Sequence, residues 1–391
     1  MPQLKPLPDC EGPKLECFID DIATCDFKIV GMLGDGAHSR VWKAEINGKV
    51  YAIKTFFYYA TQEPEFDLIL IDETIDYQYD AGSRIKPSSH ITQATIDSLR
   101  LHATSFYNEC RVFGRLKELG REHLAVKAYG YLQFDLSDEK VQRHFLPFGN
   151  DSRKHLALIG NKEPSDEDVI RHFLEHKDLS KPMMGIVKEW VDSIDGYKAW
   201  TSHDRDLVKR NIGHMPRLLR NLKALHRSGI VVRDLKGLQY LEGQLVDFSF
   251  AWTIPHIFDP ESGVRPRWTF ESIAAWDLQC FQFMLDDLDR KADLAVPRLR
   301  KHKLMAWPKR DVYKRLRPRP QSYGPQSYGP HLPMLVHDDD ELNIMWHRPP
   351  FDPAKFNWRA VQKSTKKGAS ATGRVTKTKV PSKKTAKRSV K

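Results

Sequence analysis

No apolar run in this chain of 391 residues approaches the roughly 20 needed to cross a bilayer, so no spanning helix is expected. The opening stretch MPQLKPLPDCEGPKLECF lacks the basic-then-apolar pattern of a secretory signal. Cysteine is sparse: Cys10, Cys17, Cys25, Cys110 and Cys280 are odd in number and show no CxxC spacing. That excludes a disulfide frame and a zinc cluster, and predicts reduced thiols of an intracellular protein. Acid is missing from the C-terminal tail. Residues 361–391 hold 11 of the 62 Lys and Arg but none of the 51 Asp and Glu, so the preceding residues balance 51 against 51. The formal charge of +11 therefore belongs to the tail, and gives the rest no nucleic-acid character.

What is present divides the chain into segments. Residues 1–26, rich in proline and acid, are expected as an extended N-terminal leader. Phe27 to Phe56 reads as three strands, with alternating apolar residues and an Asn47-Gly48-Lys49 hairpin signal. Polar insertions are expected near 58–95 and 135–181, the second with a short helix of its own. Between them, TSFYNECRVFGRLKELG reads as a helix that stops at Gly120, and AVKAYGYLQF as a strand. GIVKEWV is a further strand, followed by the helix MPRLLRNLKALHRSG with Gly229 at its end. FESIAAWDLQCFQFMLDDL, carrying Asp277, is a last buried helix. Residues 308–360 combine a Pro-rich linker containing a tandem PQSYG with an acidic run, and 361–391 form a basic disordered tail.

A set of polar residues recurs at the ends of these elements. Gly34 and Gly36 lie between two strands, where backbone N–H groups can approach phosphate oxygens; a plain turn would read the same. Lys54, at an inward strand position, needs an anionic partner, which a phosphate or a carboxylate would supply. Glu109, on the buried side of the next helix, is the candidate carboxylate. The stretch VVRDLKGLQYLEGQLVDF (Val231 to Phe248) then sets Asp234 and Asp247 at the two ends of a tight hairpin. Asp234 suits orienting or deprotonating a hydroxyl, Lys236 neutralising a phosphoryl group, and Asp247 ligating Mg2+.

In this order, LGDGAHSRV, YAIK, the Glu109 helix, HRSGIVVRDLKGLQ, VDFS and the Asp277 helix resemble the protein kinase fold over roughly residues 27–290. The resemblance implies an α+β, two-lobed architecture. Its N-lobe (27–190) would be an antiparallel β-sheet with one helix, and its C-lobe (191–307) mainly helical and shortened. It implies ATP and Mg2+ as cofactors, backbone around Glu189 to Val191 as the hinge that holds adenine, and Gln239 as a second metal ligand. The sequence also departs from that pattern. Val232 replaces the usual histidine, Ser249 replaces the glycine of Asp-Phe-Gly, and no Ala-Pro-Glu follows. These losses touch the peptide-substrate platform more than the nucleotide site.

Within that fold, LPDCEGPKLECF followed by LGDGAHSRVWKAEINGKVYAIKTFF is similar to the fungal kinase-like family of the Fta-two subunit of the Sim-four kinetochore complex. The closer resemblance implies a nuclear, centromere-associated role with inner-kinetochore or chromatin proteins as partners. Three functions stay open: a kinase-like protein that binds ATP and Mg2+ and phosphorylates a Ser or Thr hydroxyl, a non-catalytic scaffold, and a small-molecule phosphotransferase. The tail suits a nuclear import signal at Ser382 to Arg388, non-specific nucleic-acid contact, or a solvated end. It has no aromatics for base stacking.

Overall fold

A computed structural model describes residues 4–62, 93–160, 163–192, 196–256 and 270–295. The linker and tail, and most of the first insertion, lie outside the described residues. The described chain is α+β, built on a five-stranded antiparallel sheet. Its strands are β1 (Phe27–Asp35), β2 (Ser39–Ile46), β3 (Lys49–Phe56), β4 (Ala128–Phe134) and β5 (Met183–Glu189), in the order β1-β2-β3-β5-β4. The expected hairpin joins β2 to β3, with Asn47 and Gly48 at φ 50° and 77°. Both left-handed conformations match a primed turn, which follows the twist of the strands it joins.

Side chains alternate across a pleated sheet, so each strand feeds two cores. On the outer face Trp42, Ile46, Ile53, Leu132, Phe134 and Val187 pack beneath helices of the second insertion. There the sequence predicts one short helix, and the structure has three: α4 (Glu139–Phe145), α5 (Asn150–Gly160) and α6 (Asp166–Phe173). Aromatic residues of α4, of the turn after it and of α6 surround Trp42, with Phe145 and Phe148 at 5.5 Å and Phe173 at 6.0 Å between ring centroids. Trp42 also donates its indole N–H to Thr55 Oγ1 at 2.8 Å, which satisfies its one polar atom inside the aromatic layer.

On the inner face, Phe56, Tyr131 and Ile186 meet α3 (Ser105–Glu118), which follows the short α1 (Tyr59–Gln62) and α2 (Gln93–Ala103). The same core continues into α8 (Arg205–Arg227) and α9 (Phe270–Ala295), with α7 (Gly196–Thr201) leading in. Helix α8 buries Val208, Met215, Leu218, Leu222 and Leu225, a stripe at helical spacing. It begins ten residues before the Met215 start that the sequence suggests, because Asp204 caps it by accepting from the Asp206 and Leu207 N–H groups. Pro216 sits inside the helix instead of opening it. Two small ladders complete the fold: β6 (Ile230–Val231) with β9 (Trp252–Thr253), and β7 (Tyr240–Leu241) with β8 (Gln244–Leu245).

The leader is extended and also packed. Leu15 is buried in the inner core and Ile22 in the outer one. Tyr131 on β4 exchanges backbone hydrogen bonds with Glu16 and Phe18, and its hydroxyl donates to Lys5 O at 2.6 Å. Gly114 in α3 is required here, since a Cβ at that position would come within 2.4 Å of Lys14 O. Arg111 of the same helix donates to Glu11 O at 3.0 Å and to Pro255 O, which ties the leader, α3 and the segment after β9 together.

Candidate functional site

The site grows from strand alternation. Ala52 on β3 pairs with Lys188 on β5, and Lys54 pairs with Ile186, so both lysines share the inner face at a diagonal. Helix α3 crosses that face and presents Glu109, which is 0% exposed. Glu109 receives both amines: Lys54 at Oε1 and Lys188 at Oε2, the second at 2.6 Å. Lys54 also donates to Asp247 Oδ1 at 2.8 Å and to Ser249 Oγ at 2.7 Å. Lys188, 5% exposed, donates further to Val246 O at 2.8 Å. Ser249 closes the network: its N–H donates to Asp247 Oδ1 at 2.9 Å, and its Oγ lies 2.8 Å from that oxygen and 3.2 Å from Glu109 Oε1. Asn108, beside Glu109, donates to Ser249 O at 2.7 Å.

The electrostatics follow from this packing. Burial alone would lower the Lys54 pKa, but Asp247 and Glu109 more than offset it, and the pKa is raised. For Lys188 burial wins: its pKa is lowered, with Glu109 opposing and Lys54 assisting. Burial would raise the Asp247 carboxyl, yet Lys54 and Lys188 hold it well below the usual carboxylate range.

Asp234 sits apart from that network, in a cluster of its own. Its Oδ2 accepts from Lys236 Nζ at 3.0 Å and from Gln239 Nε2 at 3.1 Å, while Gln239 Oε1 accepts the Lys236 N–H at 3.3 Å. Burial pushes the Asp234 pKa up to about 6, against the pull of Lys236. The backbone before it is set by Asp277, whose oxygens accept the N–H groups of Val232 at 2.7 Å and Arg233 at 2.8 Å. These bonds support Arg233 at φ 71°, an unusual conformation for a residue with a side chain. His226 adds a contact to Asp277 at 3.0 Å, and Val232 fills core where the sequence comparison expects histidine.

The structure thus joins Lys54, Glu109 and Asp247, and separately joins Asp234, Lys236 and Gln239. Gly34 and Gly36 lie at the exposed β1–β2 end, where a Cβ at Gly34 would meet nothing within 4 Å and one at Gly36 only Ser39 O at 3.6 Å. Glu189 ends β5 with its side chain exposed, and Val191 packs half-buried against the inner core. Sequence reasoning missed Lys188, Ser249 and His38. Lys188 had a signal, since Met184, Ile186 and Lys188 share one face of a strand. Ser249 was read only as a lost glycine. His38, just before β2, stacks edge-on against Phe250 at 4.7 Å, and burial lowers its pKa to about 4 against the pull of Asp247.

Two of the candidate metal-binding oxygens are taken by protein donors. Asp247 Oδ1 already takes Lys54 and the Ser249 N–H, and Gln239 Oε1 takes a backbone N–H. Among the described residues no three His, Cys, Asp or Glu side chains gather as metal ligands. No described helix is long and apolar enough to cross a membrane.

No curated protein matches the chain. A family model does, over a span that holds the leader, the sheet and every charged residue of the two clusters. Matched over residues 3–252, well over half of its length, the chain belongs to the family described as Kinetochore Sim4 complex subunit FTA2.

Proposed function

We propose that the chain is a non-catalytic interaction subunit of the kinetochore, carrying a two-lobed, kinase-like body whose nucleotide cleft is closed by its own charges. One observation carries this reading. Two buried ammonium groups, Lys54 and Lys188, meet two carboxylates, Glu109 and Asp247, and Ser249 ties the carboxylates together. A nucleotide site needs surplus positive charge for the phosphates and free carboxylate oxygens for a metal. With Lys188 the network balances two ammonium groups against two carboxylates, which leaves no surplus positive charge, and Asp247 Oδ1 already accepts from Lys54 and from the Ser249 N–H. Family membership supports a nuclear site of action and kinetochore or chromatin proteins as partners. The test is co-purification with Sim4-complex subunits. Lys54→Ala should retain the partners while the protein stays folded, and loss of partners from a folded variant would sink the scaffold reading.

A second reading keeps the site as an ATP and Mg2+ site that transfers phosphate to a Ser or Thr hydroxyl or to a small molecule. Two observations favour it. Neither Gly34 nor Gly36 has positive φ or a tight neighbour, so the loop's own packing does not demand glycine. Asp234, with its pKa near 6 beside Lys236, resembles a poised base. On this reading Asp234→Asn abolishes ATP turnover while leaving nucleotide affinity almost unchanged. Turnover that survives the substitution would assign catalysis elsewhere.

A further inference from the structure

Residues 1–360 balance 51 cations against 51 acids, but a balanced sum does not say where the charges sit. Helix α8 carries seven Lys or Arg in its 23 residues against one acid, Asp206. At about 100° per residue, all seven cations fall within an arc of about 140°, opposite the stripe that buries Val208 to Leu225. Two of them are engaged. Arg210 pairs with Glu242 at 3.1 Å, and Arg217 donates to Glu242 O at 3.1 Å and Gly243 O at 3.2 Å. The other five, Arg205, Lys209, Arg220, Lys223 and Arg227, have no ion pair with any described residue. Lys209 is half-buried and the rest are exposed.

The helix's own electrostatics do not account for this row. Cations are favoured in the last turn, which explains Arg227, but Arg205 opens the helix at the end that favours acid. Lys209, Arg220 and Lys223 lie outside both terminal turns. Like charges four residues apart repel, as Arg205 does Lys209 and Lys223 does Arg227. Burial and Arg227 both lower the Lys223 pKa, with no carboxylate of the described residues opposing them.

We infer that the exposed face of α8 is a docking surface for the phosphate backbone of duplex DNA. Arg205 to Arg227 spans about 33 Å at 1.5 Å per residue, close to one turn of the duplex. A row of phosphates needs only placed cations, whereas a protein interface draws its energy from apolar or aromatic anchors at its centre. The α8 face has no such anchor: between the cations lie Gly213, Pro216 and Ala224. The lack of an aromatic also disfavours single strands, whose binding depends on base stacking. An anionic membrane would need the apolar face that α8 has turned into the core. This surface is separate from the Lys54 network, and a catalytic or a non-catalytic body could carry it equally.

The experiment follows the fluorescence anisotropy of a labelled random duplex of about 30 base pairs with the full chain, from about 50 to 200 mM KCl. One variant neutralises the end of the row, with Arg220→Gln, Lys223→Gln and Arg227→Gln. A control removes the same charge at exposed lysines elsewhere, with Lys28→Gln, Lys49→Gln and Lys140→Gln. Circular dichroism checks each fold. The wild type is expected to bind, and the α8 variant to bind at least tenfold more weakly at about 100 mM salt. Its plot of log affinity against log salt should be shallower by about 2.7, from about 0.9 for each of three lost contacts, while the control stays within about twofold of wild type. Arg205→Gln with Lys209→Gln, at the other end of the helix, is the independent check and should flatten the plot by about 1.8. Unchanged binding in both α8 variants would assign DNA contact to the basic tail and overturn the inference. Equal losses in the control would overturn it too, by making net charge the cause. So would a wild type that ignores the duplex at about 50 mM salt, and capture of poly-glutamate in place of the duplex would make the partner an acidic protein instead.

Discussion

The two faces of one five-stranded sheet are filled by opposite chemistry. The outer face is aromatic, with Trp42 surrounded by Phe145, Phe148 and Phe173 from inserted helices. The inner face carries two lysines of adjacent strands onto one buried glutamate. Apolar burial scales with area and tolerates rearrangement, whereas a buried ion network stands only while every partner is present. The inner face is therefore the more sensitive of the two to loss of a single charged partner.

Removing the shared carboxylate is the strongest way to probe this difference. Glu109→Ala leaves Lys54 and Lys188 without their common partner, and should cost about 3–5 kcal/mol in urea unfolding. Trp42→Ala should cost about as much, roughly 3–5 kcal/mol, by opening a cavity. pH separates the two losses. In Glu109→Ala the Lys188 pKa, already lowered by burial, loses the carboxylate that opposes the shift, so the unfolded state binds more protons and stability recovers as pH rises toward about 10. The Trp42→Ala deficit should stay constant over that range. Equal pH profiles would erase the contrast between the faces.

Lys188→Met is the next test, and should cost about 1–3 kcal/mol because Val246 O and one Glu109 oxygen lose their donor. An unchanged midpoint would mean that Lys188 is not part of the network. Asp234→Asn goes the other way. The folded pKa of about 6 lies above the ordinary carboxylate value, so wild-type stability falls as pH rises between about 4 and 6. Asparagine removes that dependence and should stabilise the protein at neutral pH by about 2 kcal/mol, seen as a flatter curve of melting temperature against pH. A wild-type curve already flat over that window would refute the burial argument.

Much of this was legible in the sequence because local rules governed it. The three-strand start followed from alternation and the Asn47-Gly48 turn, and Lys54 with Glu109 followed from a charged residue on a buried face. The leader was legible only as extended. Its packing depends on Gly114 and on Tyr131 backbone bonds, which are long-range contacts invisible to periodicity. The second insertion carried polar helices whose buried residues, such as Phe145 and Phe173, are too widely spaced to announce an aromatic layer. Lys188 was overlooked because it abuts Glu189 in the expected hinge, though its face on β5 marks it as inward.

The most direct test is calorimetric titration of ATP into the purified chain, with and without Mg2+. Closure of the Lys54, Lys188, Glu109 and Asp247 charges predicts no saturable heat in either condition. Saturable binding that tightens with Mg2+ would contradict it, and would mean that nucleotide and metal displace Lys54 from Asp247.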